Sequence, residues 1–188
     1  MARGSPTITM PFTICRDQRE KAPYQFAGLK ADSRHNYKPL IVPVETVHLE
    51  TGDYTLKGFE SEICIERKSK EDLFSTLRDE EHRERFRREH ERMTGFAFAT
   101  VVIEATWPEI FNEPPPDCQL KPITIWRTFQ KWRMRYGVHW ETIGNRAASE
   151  DHTFRTLQFY YEEYCVNKTQ CSGNQGMDAT QTNVTGWL

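Results

Sequence analysis

The chain has 188 residues, 37% of them hydrophobic and 12% aromatic, which suits one domain with its own core and falls short of two. A formal net charge of -2 excludes a protein that coats nucleic acid by bulk positive charge, so any such contact must come from where the charges sit. A mean hydropathy of -0.74, with no apolar run near the roughly 20 residues of a bilayer-spanning helix and no apolar secretory stretch at the N-terminus, makes a cytoplasmic protein with no membrane partner the expectation.

Met10 to Arg16 reads as a buried strand that ends abruptly in the charged cluster Asp17-Gln18-Arg19-Glu20. After a polar stretch, Pro39 to Glu50 is expected as a second strand before the turn-like Thr51-Gly52. Asp53 to Lys57 resumes in extended form, Lys57-Gly58-Phe59 suits a reversal, and Glu62 to Lys68 alternates as a strand that pairs back antiparallel on the Asp53 segment. A helix capped by Ser69 or Lys70 follows, with Leu73, Phe74 and Leu77 on one face, and a second helix is expected over Glu80 to Met93. Thr100 to Ala105 is the clearest core strand, and Pro114-Pro115-Pro116 enforces an extended loop. Pro122 to Tyr136 reads as an amphipathic helix, Val138 to Thr142 as a short strand, and Ser149 to Tyr164 as a final helix carrying Phe154, Leu157 and Tyr161 on one side. These elements give an α/β chain with a mixed sheet plus helices. Residues 1–10 are expected as an N-terminal tail, 11–165 as the domain, and 166–188 as a polar, flexible tail.

Cys15, Cys64, Cys118, Cys165 and Cys171 form an odd set without a CxxC pair, so reduced thiols are expected rather than a disulfide framework or structural zinc.

Residues two apart on a strand share a face, so Glu66 and Lys68 project together while Ile63, Ile65 and Arg67 project oppositely. Asp53 lies thirteen positions before Glu66, and a hairpin between the two segments brings the carboxylates together. Two acids and an ammonium are what phosphodiester hydrolysis needs: hard oxygen ligands for a divalent ion, and a cation to orient or activate water. Asp53 and Glu66 are the expected metal ligands, and Asp17 and Glu20 can add a ligand or an outer contact, with Arg19 reaching a phosphate or a neighbouring carboxylate. By spacing alone the same residues also fit a solvated acidic and basic strand edge.

The motifs carry a resemblance. Gly52-Asp53-Tyr54 followed by Glu66-Arg67-Lys68, with Asp17-Gln18-Arg19-Glu20 upstream and Asp72-Leu73-Phe74-Ser75-Thr76-Leu77 downstream, resembles the nuclease domain of the XPF-type family, within the restriction-endonuclease-like PD-(D/E)xK superfamily. Arg85-Phe86 and Val101-Val102-Ile103-Glu104 fall where that family has an arginine-bearing helix and an apolar strand ending near an acid. The resemblance implies a restriction-endonuclease-like mixed central sheet flanked by helices and a metal-dependent DNA endonuclease using magnesium or manganese at branched, flap or otherwise distorted DNA, in repair, recombination or phage DNA processing. It carries catalytic roles over to Asp17, Glu20, Asp53, Glu66, Arg67 and Lys68 and favours Arg85 for function; metal binding is expected of Asp53, Glu66 and Glu20, and DNA contact of Arg19, Arg67, Lys70 and Arg85. XPF-type nucleases usually add a tandem helix-hairpin-helix module, for which the residues after Tyr164 leave no room, so a stand-alone form, a homodimer or a targeting partner protein is expected. A non-catalytic DNA-binding or scaffold subunit is the rival reading, and an RNA nuclease is chemically permitted.

Six arginines between Arg78 and Arg92 are matched by acids and read mainly as a solvated helix with i, i+4 pairs, and His82 and His90 as surface residues. Lys121, Arg127, Lys131, Arg133, Arg135 and Arg146 make the second half locally basic, and the interleaved Trp126, Trp132 and Trp140 suit either core packing or contact with single-stranded DNA.

Overall fold

The computed structural model describes residues 6–116 and 118–166, the side chains of residues 165 and 166 excepted. Eight strands and five α-helices follow in chain order: β1 (Ile8–Thr9), β2 (Ile14–Asp17), β3 (Leu40–Ile41), β4 (Val44–Val47), β5 (Tyr54–Leu56), β6 (Ile63–Ser69), α1 (Lys70–Leu77), α2 (Glu80–Met93), β7 (Phe98–Glu104), α3 (Trp107–Asn112), α4 (Pro122–Tyr136), β8 (His139–Thr142) and α5 (Arg146–Tyr160). Six strands form a mixed sheet in the order β4-β2-β5-β6-β7-β8. The β5–β6 hairpin is antiparallel with Tyr54 opposite Ile65, while β6, β7 and β8 run parallel.

Strand alternation divides the core between the two faces of this sheet. Cys64, Val101 and Ile103 face a layer containing Leu73, Leu77, Phe86, Ile125, Phe129 and Trp132 from α1, α2 and α4. Ile63, Ile65 and Val102 face Phe154, Leu157 and Tyr160 of α5. Each fully buried aliphatic or aromatic side chain of this kind contributes about 1.5–3 kcal/mol of apolar burial, which is what holds helices on both faces.

The expected strand over Pro39 to Glu50 is two strands. Pro43 lacks an N–H to continue the ladder, although its carbonyl still accepts from Ile14 N at 2.9 Å, and the chain passes from β3, paired with β1, to β4, paired with β2. Ile8–Thr9, inside the stretch expected as an N-terminal tail, therefore pairs with Leu40–Ile41. Helix α3 lies between the β7 strand and the proline loop, where no helix was expected. Its start is written in Thr106 and Glu109, whose side chains and backbone N–H groups form a reciprocal capping box. Helix α5 begins three residues before the expected Ser149 because Asn145 caps it, accepting from Ala148 N at 3.0 Å.

His90 is a correction. It is fully buried, its Nδ1 bonds Phe86 O at 2.9 Å, and its Nε2 accepts from Trp140 Nε1 at 2.8 Å. The reason is position: Phe86, His90 and Met93 form the inward stripe of α2 at i, i+4 and i+7, under Trp132 and Trp140. Trp132 and Trp140 are core, whereas Trp126 is 41% exposed. The described cysteines, Cys15, Cys64 and Cys118, are free thiols, and the expected C-terminal tail from 167 onward lies outside the described residues.

Candidate active site

Gly52 sets the position of Asp53. Its φ of +77° is open to glycine but strained for other residues, and a Cβ there would stand 2.4 Å from Cys64 Sγ, so only glycine lets this turn lie against β6. Asp53 is then tied to both neighbouring strands: its N–H donates to Ile65 O at 2.8 Å, its carbonyl accepts from Asp17 N at 2.8 Å, and its carboxylate Oδ2 accepts from Arg67 N at 2.7 Å. A residue whose backbone is held at two points and whose carboxylate is held at a third needs little reorganisation before chemistry.

Opposite it, alternation along β6 puts Glu66 and Lys68 on the α2 side, with Lys68 Nζ donating to Glu66 Oε1 at 2.5 Å. The ammonium also sits 4.8 Å from the centroid of the Phe86 ring, whose buried face anchors it. Burial disfavours the charged lysine, but the carboxylates of Glu66, Glu89 and Asp53 outweigh it and hold the Lys68 pKa above its usual value. Burial and the nearby Glu66 carboxylate push the Asp53 carboxyl well above the usual range. Both shifts have one origin, acids crowded into a partly dehydrated cleft.

Glu89 joins that crowd, and the sequence reading assigned it no role. Burial and Glu66, to which it hydrogen-bonds, push its pKa up to about 8. The available signal was its place on α2, beside the inward stripe of Phe86, His90 and Met93 rather than among the solvated pairs.

Arg67 projects to the opposite face, as alternation requires. It is 8% exposed and binds Glu104 through Nε at 2.8 Å and Nη2 at 2.7 Å, with Glu20 at 3.4 Å. Glu104 also accepts from Tyr24 Oη at 2.9 Å and Arg146 Nη1 at 3.2 Å. Burial works against ionised Glu104, but the hydrogen bonds from Arg67 and Tyr24 win and hold its pKa below the usual value. Arg146, expected in the basic second half, thus serves this network, and its Nη2 also holds the carbonyls of Ala22 and Pro23. The guanidinium of Arg67, a candidate DNA contact, is committed to bracing acids.

Asp17, 4% exposed, accepts from Arg19 Nε at 2.7 Å, and Arg19 also reaches Leu49 O. Burial opposes the Asp17 charge, yet these hydrogen bonds keep its pKa below the usual range. Glu20 caps its own turn through Ala22 N at 2.7 Å. Arg85 is exposed, lines the cleft and makes no ion pair among the described residues. Lys70 does not line the cleft and stands 4.0 Å from Glu113.

Asp17, Glu20, Asp53, Glu66, Lys68 and Glu89 line one open cleft of about 700 Å³. Among the described residues no three acidic, histidine or cysteine side chains are gathered closely enough to cage an ion, so the expected trio with Glu20 is not preassembled. Glu20 is held instead by Ala22 and Arg67. Asp53 and Glu66, two mutually repelling carboxylates, still fit magnesium, which takes one or two carboxylates and completes its shell with water and substrate oxygens.

The ERCC4 domain family model matches residues 16–159. Among solved structures, XPF from Aeropyrum pernix is similar at a TM-score of 0.57 and 15% identity, over 84% of this chain and 69% of that one. The XPF from Aeropyrum pernix in complex with DNA is similar at 0.58 and 14%, over 81% and 66%. No curated protein matches the sequence. At these identities the structural likeness establishes the fold, a mixed sheet flanked by helices as expected.

Proposed function

This chain belongs to the ERCC4 domain family, a nuclease family, and we propose that it is a divalent-metal-dependent DNA endonuclease acting at branched, flap or otherwise distorted DNA. The observation that carries this reading is the meeting of Asp53, Glu66 and Lys68 in one cleft, on backbone that the Gly52 turn and the β5–β6 hairpin fix.

Asp53 and Glu66 would hold Mg2+ or Mn2+. When bound there, such an ion would supply charge neutralisation at the phosphate oxygens and a lowered pKa for water. Lys68, beside Glu66 and over the Phe86 ring, orients or activates the attacking water and stabilises developing negative charge. Asp17 and Glu20 support the acids from the end of β2, the latter through Arg67. Arg85, free of partners, meets a phosphate of the strand being cut. The likeness to an XPF structure in complex with DNA supports DNA as the polymer.

The test is cleavage of labelled flap, fork, four-way-junction, duplex and single-stranded DNA, and of an RNA counterpart, with Mg2+, Mn2+ or EDTA. Cutting near branch points, dependent on metal and lost in Asp53→Ala and Lys68→Ala, is the expected result. Bound but uncut DNA under every metal condition would favour a non-catalytic DNA-binding subunit.

A further inference from the structure

Helix α4 buries Ile125, Thr128, Phe129 and Trp132, a complete inward stripe at i, i+3, i+4 and i+7. Its other side therefore has no core to serve, yet it exposes Ile123 (40%), Trp126 (41%) and Met134 (79%). Trp126, Arg127, Arg133 and Met134 recur at the spacing of one helical face, since 126 and 133 are seven apart and 127 and 134 likewise.

The charges on this helix are of one sign. Arg127, Lys131, Arg133 and Arg135 are exposed, α4 contains no acid, and none of the four forms an ion pair among the described residues. Arg133 lies 5.5 Å from the Phe129 ring centroid, a contact that fixes it without neutralising it. Helix α2 shows the ordinary alternative, with Arg83 and Arg87 paired to Glu80, Glu84 and Glu91. In a chain of net charge -2, two uncompensated arginines, Arg127 and Arg133, flanking an exposed indole, with Lys131 and Arg135 adding positive charge elsewhere on the same helix, mark a surface complementary to a polyanion with accessible flat rings.

We propose that the outward face of α4 is a docking surface for single-stranded nucleic acid, with Arg127 and Arg133 meeting phosphates and a base stacking on Trp126. A paired duplex hides its base faces, so stacking of this kind selects unpaired segments, such as the single-stranded arm of a flap or fork. The inference rests on the nuclease reading only for the choice of polymer and needs no metal.

The experiment is fluorescence anisotropy of labelled oligothymidylate and of the matching duplex against the full chain in EDTA, over a series of salt concentrations. Trp126→Ala is expected to weaken single-strand binding roughly 5- to 100-fold, with Trp126→Phe restoring much of it. The double variant Arg127→Gln/Arg133→Gln should lower the slope of log affinity against log salt by about 1.4, from about 0.7 per lost phosphate contact on a single strand. Circular dichroism verifies that each variant is folded. Single-strand affinity within twofold of wild type in both variants would overturn the proposal. So would sedimentation showing that this face joins two copies, with Trp126→Ala breaking the dimer and leaving DNA binding intact. Loss of cleavage in every assay, with single-strand binding still dependent on Trp126, would instead remove only the nuclease reading.

Discussion

Glu104→Ala should be among the most destabilising single changes near the site. The Arg67 side chain is 7% exposed, and Glu104 supplies its two shortest hydrogen bonds, at 2.8 and 2.7 Å, leaving only Glu20 at 3.4 Å after truncation. A buried cation stripped of its main partner costs about 3–5 kcal/mol. Arg67→Met is the milder change, because Glu104 keeps Tyr24 Oη and the 43%-exposed Arg146, and about 2 kcal/mol is expected. The double variant Arg67→Met/Glu104→Ala removes both charges and should be less destabilised than the sum of the singles by about 1–3 kcal/mol. Urea unfolding followed by circular dichroism at neutral pH in EDTA gives all three values with one slope. Two singles each costing under about 1 kcal/mol, or strict additivity, would refute the bracing role of this network.

Gly52→Ala should cost more than about 2 kcal/mol, from the left-handed φ and the clash with Cys64 Sγ, while Gly28→Ala, at φ +75° with open space around it, should cost only about 1–2 kcal/mol. Equal midpoints in chemical denaturation for the two variants would remove the close-approach argument. Burial lowers the pKa of His90 to about 4, whereas in the unfolded chain it titrates near the ordinary imidazole value of 6.5. The unfolded state therefore takes up the proton first as pH falls. The stability is fully present above about 6.5 and is lost as pH falls towards 4, by about 3 kcal/mol in all. His90→Leu should flatten the stability profile across that window, and an unchanged slope would show that His90 does not carry it.

The motifs were legible because they are local: Gly52-Asp53-Tyr54 and Glu66-Arg67-Lys68 lie on one hairpin, whose alternation assigns faces without knowledge of the rest. The strands and helices followed from periodicity, and their arrangement as a sheet flanked by helices from the family resemblance. What periodicity could not give was the partner of each charge. Arg67 looked free to meet a phosphate, and only the parallel pairing of β6 with β7 puts Glu104 within its reach. Glu89 and His90 sat in a run of charges that reads as solvated; the burial of His90 depends on α4 and β8 closing over α2 from later in the chain, and Glu89 turns to the cleft beside Glu66. The break at Pro43 and the capping box at Thr106 were present in the sequence but outweighed by the longer apolar runs beside them.

The most direct test of the central claim is the single-turnover cleavage rate of a labelled fork in Mg2+ for wild type and Asp53→Asn, with DNA affinity measured alongside in EDTA. Asp53→Asn keeps the size of the side chain and its amide oxygen can still accept from Arg67 N, but the charge offered to the ion is gone. A rate lower by about a thousandfold with affinity within a few-fold is the predicted outcome, since a bound ion contributes several kcal/mol to the transition state. Equal rates for the two proteins would contradict the assignment of this cleft as the catalytic centre.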